Sequence, residues 1–133
     1  MTGTMATETW VVAPVLGARD VRLATAYYED KLGFTCEDGV FVPAGDEAVY
    51  AILNRGGVII HLQIRRREIN ANRQEIESNG YFTVTDVDAL YAEFLERGAI
   101  IVRPPVDAPN YRMRDFIVED PDGNRLLFGA TKR

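Results

Sequence analysis

The sequence repeats itself, and the repeat limits what the chain can become. Asp20 and Asp86 stand 66 positions apart, as do Gly57 and Gly123, while Gly33 and Gly98 match at a shift of 65. Each aspartate precedes a run whose apolar residues recur every three or four positions. Gly33 and Gly98 follow those runs. Gly57 and Gly123 sit in turns between apolar stretches. The aspartates read as helix N-caps, and the first pair of glycines as helix ends. Each half therefore spells strand–helix–strand–strand–strand. A half of this size can hardly bury a core alone, so the two halves must pack together or exchange partners.

Taken in order, Trp10 to Gly17 reads as a strand. Asp20 caps a helix to Leu32 with Val21, Ala24, Tyr28 and Leu32 on its core face. A short strand is expected at Phe34 to Glu37, then a loop from Gly39 to Asp46. Glu47 to Leu53 and Val58 to Arg65 form a hairpin across Arg55-Gly56-Gly57. A polar linker covers about residues 66–78, separating module one (about 9–65) from module two (about 79–131). Asn79 to Thr85 is a strand, and Thr85 or Asp86 caps a helix with Val87, Leu90, Tyr91, Phe94 and Leu95 on its core face. Ala99 to Arg103 is a strand, and Pro104, Pro105 and Pro109 predict a stiff loop. Tyr111 to Glu119 and Arg125 to Ala130 form a closing hairpin around Asp120-Pro121-Asp122-Gly123-Asn124, whose residue types favour a tight reversal.

Composition narrows the function. A net charge of −5 argues against a general nucleic-acid binder and mildly favours cationic or neutral ligands. No apolar run reaches the roughly 18 residues of a membrane span, and the first residues lack the pattern of a signal peptide. The single cysteine, Cys36, excludes an internal disulfide and fits a reducing cytoplasm.

Strand alternation divides each strand into two faces. Val58, Ile60, Leu62 and Ile64 make one uniformly apolar face, with Phe82, Val84, Phe116, Val118, Leu126 and Phe128 on the matching faces of the second half. These belong under the helices. The opposite faces are mixed: Ile59, His61, Gln63 and Arg65; Asn79, Tyr81 and Thr83; Asp115, Ile117 and Glu119; Arg125, Leu127 and Gly129. Mixed faces line solvent, a subunit interface or a small-molecule cleft.

Ala13 to Phe34 (APVLGARDVRLATAYYEDKLGF) and Asp115 to Gly129 (DFIVEDPDGNRLLFG), together with the repeat, resemble the glyoxalase/bleomycin-resistance/extradiol-dioxygenase group, also called the vicinal oxygen chelate superfamily. The runs Pro14 to Val21 and Leu90 to Glu93 resemble its bleomycin-resistance branch in particular. The resemblance implies an α+β fold of two tandem βαβββ modules, a curved eight-stranded mixed sheet with a cleft, and a homodimer. Metal-using members carry His, Gln or Glu at equivalent points of the inner strands. Those points fall here on Ala13, His61, Asn79 and Leu127, and the repeat itself relates His61 to Leu127. Alanine and leucine bind no metal, asparagine binds weakly, and His61 is the only histidine.

The expected function is therefore metal-independent sequestration of a drug or metabolite, with no cofactor. The cleft would be lined by Ala13, His61, Gln63, Asn79, Tyr81, Met113, Asp115, Ile117 and Leu127, around a ligand that is cationic or planar and aromatic. The alternative is a glyoxalase-like lyase or isomerase, with an atypical metal site or with His61 as general base. Each candidate has a plainer reading beside it. His61 also fits a satisfied polar residue of the sheet. Asp115 and Glu119 also fit ion pairs with Arg112, Arg114 or Arg125. Arg65, Arg66 and Arg67 also fit a solvated linker entrance, and Cys36 a small buried hydrophobe. Tyr81 could stack on a planar ligand, with Tyr111 at a loop edge. Trp10 and Phe41 fit either a cleft wall or a subunit contact.

Overall fold

A computed structural model describes residues 8–66 and 78–132 of the protein, so most of the expected linker, Arg67 included, lies outside the described residues. The first half holds β1 (Val15–Ala18), α1 (Val21–Leu32), β2 (Tyr50–Arg55) and β3 (Val58–Ile64). The second holds β4 (Gly80–Thr83), α2 (Val87–Arg97), β5 (Ile100–Asp107), β6 (Met113–Glu119) and β7 (Arg125–Thr131). The class is α+β.

Both helices start and stop as their sequences dictate. The Asp20 carboxylate accepts from Leu23 N and the Asp86 carboxylate from Ala89 N, each satisfying a donor that the first helical turn leaves open. Gly33 (φ 70°) and Gly98 (φ 83°) end the helices in the left-handed region, where a side chain would be strained.

The expected single sheet of eight strands is instead two sheets of three and four, in the orders β1-β3-β2 and β4-β7-β6-β5. In each, the first and last strands of the half run parallel and the other pairings are antiparallel. The missing strand is Phe34 to Glu37. Only isolated bridges form there, Thr35 with Asn54 and Phe41 with Tyr50. Gly39 and Gly45, both at positive φ, turn the chain before a ladder can build. The first strand is also shorter than expected. Pro14 has no N–H to donate; its carbonyl still accepts from His61 N, but paired strand begins one residue later, at Val15. Conversely, β5 runs straight through Pro104 and Pro105, where a stiff loop is expected. It is the outermost strand of its sheet, and register slips between Ile101 and Arg103 and between Arg103 and Val106 absorb the prolines.

The apolar faces meet in one core that draws on both halves, including Leu16, Ala24, Tyr28, Leu53, Ile60 and Leu62 from the first and Phe94, Phe116, Val118, Leu126 and Phe128 from the second. Phe94 packs edge-on against Phe116 and Phe128, at centroid distances of 5.9 and 5.3 Å. Helix α1 lies on β2 and β3, helix α2 on β5, β6 and β7, and the helices touch each other. Each sheet's mixed face is therefore the one turned away from its helix.

Polar contacts fix the two halves together. The Tyr28 hydroxyl donates to Asp120 Oδ2 at 2.8 Å, and Asn124 Nδ2 donates to Asp120 Oδ2 at 2.9 Å and to Gly17 O at 3.0 Å. Asp120 Oδ1 accepts the backbone N–H groups of Asp122 and Asn124. Burial nonetheless raises the Asp120 pKa above the ordinary carboxylate value, against the pull of Asn124 and Tyr28. Arg55 reaches across to clasp Glu93 through two bonds of 2.7 and 2.8 Å and sits over the Phe94 ring.

Removing the Tyr28 hydroxyl tests this joint. Tyr28→Phe leaves the buried Asp120 carboxylate one donor short and should lower unfolding free energy by about 1–3 kcal/mol. Arg19→Ala, which removes a pair between the exposed Arg19 side chain and Asp122 and a bond to Pro121 O but leaves the Arg19 N–H to Asp122 bond in place, should cost less, about 1 kcal/mol. Urea midpoints at unchanged slope measure both.

Candidate ligand-binding site

The mixed face of the second sheet carries a polar cluster on an apolar bed. Tyr81, Leu127 and Ile117 lie side by side across β4, β7 and β6, and Asp115 faces Gly129 in the next pair of the same face. Asp115 is 1% exposed, yet it is ionised and satisfied. Arg103 donates to its Oδ1, and the hydroxyls of Tyr81 and Tyr111 both donate to its Oδ2, at 3.0 and 2.8 Å. Burial alone would push this carboxyl up, but the bonds from Arg103, Tyr111 and Tyr81 outweigh it and hold its pKa below the ordinary value. The same contacts act in reverse on the phenols. Tyr81 is raised by burial and then by its bond to Asp115, and Tyr111 chiefly by its bond to Asp115.

Gly129 makes this arrangement possible. A Cβ at that position would stand 2.1 Å from Tyr81 Oη and 2.7 Å from Cζ. The bare backbone lets the phenol cross β7 to reach Asp115.

The first sheet's mixed face centres on His61. Its Nδ1 lies 2.6 Å from the Tyr50 hydroxyl, and the two rings meet edge-on at 5.4 Å. Val15 and Ile52 flank His61 across the sheet, and Gln63, exposed on the same face, lies between Gly17 and Tyr50. Ala13 lies just before β1. It borders an open cleft of about 520 Å³ with Val12, Ile59, Tyr81 and Thr83, so Ala13 and Tyr81 come together although they belong to different halves. His61 and Leu127 do not share a sheet. Asn79 is exposed and ties down the start of β4. Its N–H donates to Arg125 O and its side-chain oxygen accepts from Arg125 N. Met113 is half-buried at the start of β6.

Among the other candidates, Glu119 pairs with Arg125 at 3.2 Å, while Arg114 binds Asp88 and Asp107. Arg66 pairs with Glu47, and Arg65 packs against Gly17. Burial, followed by Glu29, raises the Cys36 thiol pKa, so it is a poor nucleophile. Trp10 is 86% and Phe41 60% exposed. A larger opening, about 610 Å³, lies between the halves against Phe34, Val58, Leu90 and Phe94. Its Arg55 and Glu93 satisfy each other, so apolar wall is most of what it presents.

Three participants were not singled out from sequence: Arg103, Gly129 and Tyr50. Tyr50 had a usable signal, since hairpin register across Gly56-Gly57 sets it near His61. Gly129 had half a signal, being a glycine inside an apolar strand. Arg103 had none, because the register slips of β5 decide where its side chain lands.

No three His, Cys, Asp or Glu side chains converge among the described residues. The four positions that would hold a metal by resemblance bring one imidazole, one amide already bonded to backbone and two apolar side chains. This donor set does not fit a bound catalytic ion. No helix among the described residues is long and apolar enough to cross a membrane.

A family model described as Glyoxalase/Bleomycin resistance protein/Dioxygenase superfamily matches residues 10–128. Among solved structures, the bleomycin-binding protein from bleomycin-producing Streptomyces verticillus, complexed with copper(II)-bleomycin, is 27% identical. It superposes with a TM-score of 0.72 over 96% of this chain and 100% of its own. TioX from Micromonospora sp. ML1 is 22% identical with a TM-score of 0.69, over 92% and 99% of the two chains. A glyoxalase/bleomycin resistance protein/dioxygenase from Alicyclobacillus acidocaldarius is 20% identical with a TM-score of 0.73, over 96% and 95%. These last two show likeness of fold. No curated protein matches the chain.

The Asp115 cluster has a pH signature. Its folded pKa lies below the ordinary value, so its contribution to stability is present above the unfolded pKa and is lost as pH falls through the folded one. Asp115→Asn should remove that part of the acid limb from a plot of melting temperature against pH. It should also let Tyr81 and Tyr111 ionise at lower pH, read as tyrosinate absorbance in an alkaline titration.

Proposed function

Because the chain belongs to the Glyoxalase/Bleomycin resistance protein/Dioxygenase superfamily, matched over residues 10–128, we propose that it is a metal-independent binding protein of the bleomycin-resistance type. It sequesters a drug or metabolite in the cytoplasm, as one domain of two modules. The donor set supports this reading: by the resemblance, the ligand positions of metal-using relatives fall on Ala13, His61, Asn79 and Leu127, of which only His61 is a good ligand. Sequestration needs affinity and abundance, not turnover. Leu127 and Ile117 supply apolar surface, and Tyr81 supplies an aromatic face with a polar tip. The bleomycin-binding neighbour supports a small-molecule ligand.

The ligand surface is completed in a homodimer. Each chain turns its two mixed faces away from its own helices, so a cleft that joins His61 and Gln63 to Asp115, Met113, Ile117 and Leu127 takes module one from one chain and module two from another, while Ala13 borders Tyr81 of its own chain. Two observations support this. Among the described residues, no strand pairs with the outer edge of β1 or of β4. Exposed Trp10, Val11, Val12 and Val15 flank the first of these edges. A net charge of −5 suits a cationic or planar aromatic guest and disfavours nucleic acid and anionic membrane as partners.

The second reading, a lyase or isomerase, draws on the Tyr50–His61 contact. In the tautomer whose Nδ1–H donates to the Tyr50 oxygen, this contact orients the imidazole and Nε2 is the lone pair that would accept a proton.

Three measurements test these statements. Protein offered nickel, zinc, manganese and iron should retain no stoichiometric ion; a tightly held ion lost in His61→Ala would overturn metal independence. A thermal-shift screen with glycopeptide and planar aromatic antibiotics should find a stabilising ligand, since one at 100 times its dissociation constant adds about 2.7 kcal/mol. Light scattering should give twice the chain mass.

A further inference from the structure

We infer that Tyr81 and Tyr111 form a paired hydrogen-bond acceptor that selects ligands presenting two adjacent N–H donors, as in an amidine, a guanidine or a primary carboxamide. This rests on the reading of the second sheet's mixed face as ligand surface.

The argument is a count of protons. A phenol has one proton to give and lone pairs to receive. Both phenols give theirs to the same atom, Asp115 Oδ2, at 3.0 and 2.8 Å. Asp115 Oδ1 is taken by Arg103, whose Nη1 is bonded to the carbonyls of Asp115 and Pro104. The carboxylate is 1% exposed and has its donors already, so it does not meet a ligand itself. It sets the direction of the two O–H bonds instead. Tyr81 and Tyr111 are 40% and 49% exposed, so the residues that reach solvent are those whose protons point inward. An arriving carboxylate or phosphate finds no phenol proton to accept there and meets lone pairs instead. An arriving N–H finds two acceptors whose own protons are already engaged with Asp115. Because both oxygens bond one atom, at 3.0 and 2.8 Å, they stand no farther apart than the sum of those distances, which brings both within reach of one group's two N–H bonds.

The pair is also set in advance. Tyr81 lies across Gly129, where any side chain would displace it. Both phenol pKa values are raised, so the pair stays protonated through the physiological range. A ligand therefore bears little ordering cost in using it.

Benzamidine, benzamide and benzoate share a ring and a size and differ in what they donate. Each is titrated into isotope-labelled full-length protein, and backbone amide shifts are followed by NMR. Benzamidine and benzamide should move residues around Tyr81, Arg103, Tyr111, Asp115 and Gly129, while benzoate binds at least about tenfold more weakly. Tyr81→Phe and Tyr111→Phe each remove one acceptor oxygen and keep the ring. Each should weaken the two donors about fivefold, the equivalent of one ordinary hydrogen bond, and leave benzoate unchanged. Equal binding of benzoate, unchanged affinity in both variants that keep a wild-type spectrum, shifts confined to another face, or no shifts with any of the three overturns the inference. If an antibiotic from the wider screen binds this face while benzoate matches benzamidine, sequestration stands and donor selection falls.

Discussion

The buried carboxylate of Asp120 holds the molecule's two halves in register. It lies in the turn of the closing hairpin, in the second half, and accepts a hydrogen bond from the Tyr28 hydroxyl of the first half's helix. Through Asn124 it is tied to the main chain of the first strand at Gly17. A carboxylate in an apolar interior is tolerated only when its lone pairs are filled. That requirement links helix α1, strand β1 and the β6–β7 turn in one arrangement. With the turn placed, β6 and β7 can lay Phe116, Val118, Leu126 and Phe128 into the shared core, and their other faces carry the polar cluster. The polar cluster is thus positioned by a contact on the opposite side of its own sheet.

Much of this was legible in the residues. Helix limits followed from Asp20, Gly33, Asp86 and Gly98, because caps are local chemistry that reads the same in any fold. The division of faces followed from alternation, and the buried sets on β3, β6 and β7 match it except at Asp115 and Gly129, which are buried on the mixed face. What alternation could not supply was the relation between sheets. The mapping of His61 onto Leu127 is correct as symmetry within the repeat, but symmetry-related positions need not be neighbours in space. Here the helices lie between, and the two side chains stand on separate sheets. Strand limits failed where tertiary position outweighed local preference. Pro104 and Pro105 look like a loop until β5 is known to be an edge.

The site divides the same way. Asp115, Tyr81, Ile117 and Leu127 share a face by parity, and the structure brings them together. The ion pairs expected for Asp115 named Arg112, Arg114 and Arg125, and the true partner is Arg103, delivered by the irregular register of β5. An acid that looks available in the sequence as a counter-ion for a cationic guest is already neutralised. Its influence passes outward through the two phenols.

The prolines of β5 carry one more consequence. Each sheet has two borders, and on each one border is sealed. In the second sheet, Pro104 and Pro105 strip the outer strand of N–H groups, and the register slips twist it out of line. In the first, the segment from Thr35 to Phe41 lies along β2 and consumes its carbonyls and amides. What remains among the described residues is one unpaired border per sheet, β1 and β4. Growth of either ladder by strand addition is therefore one-directional.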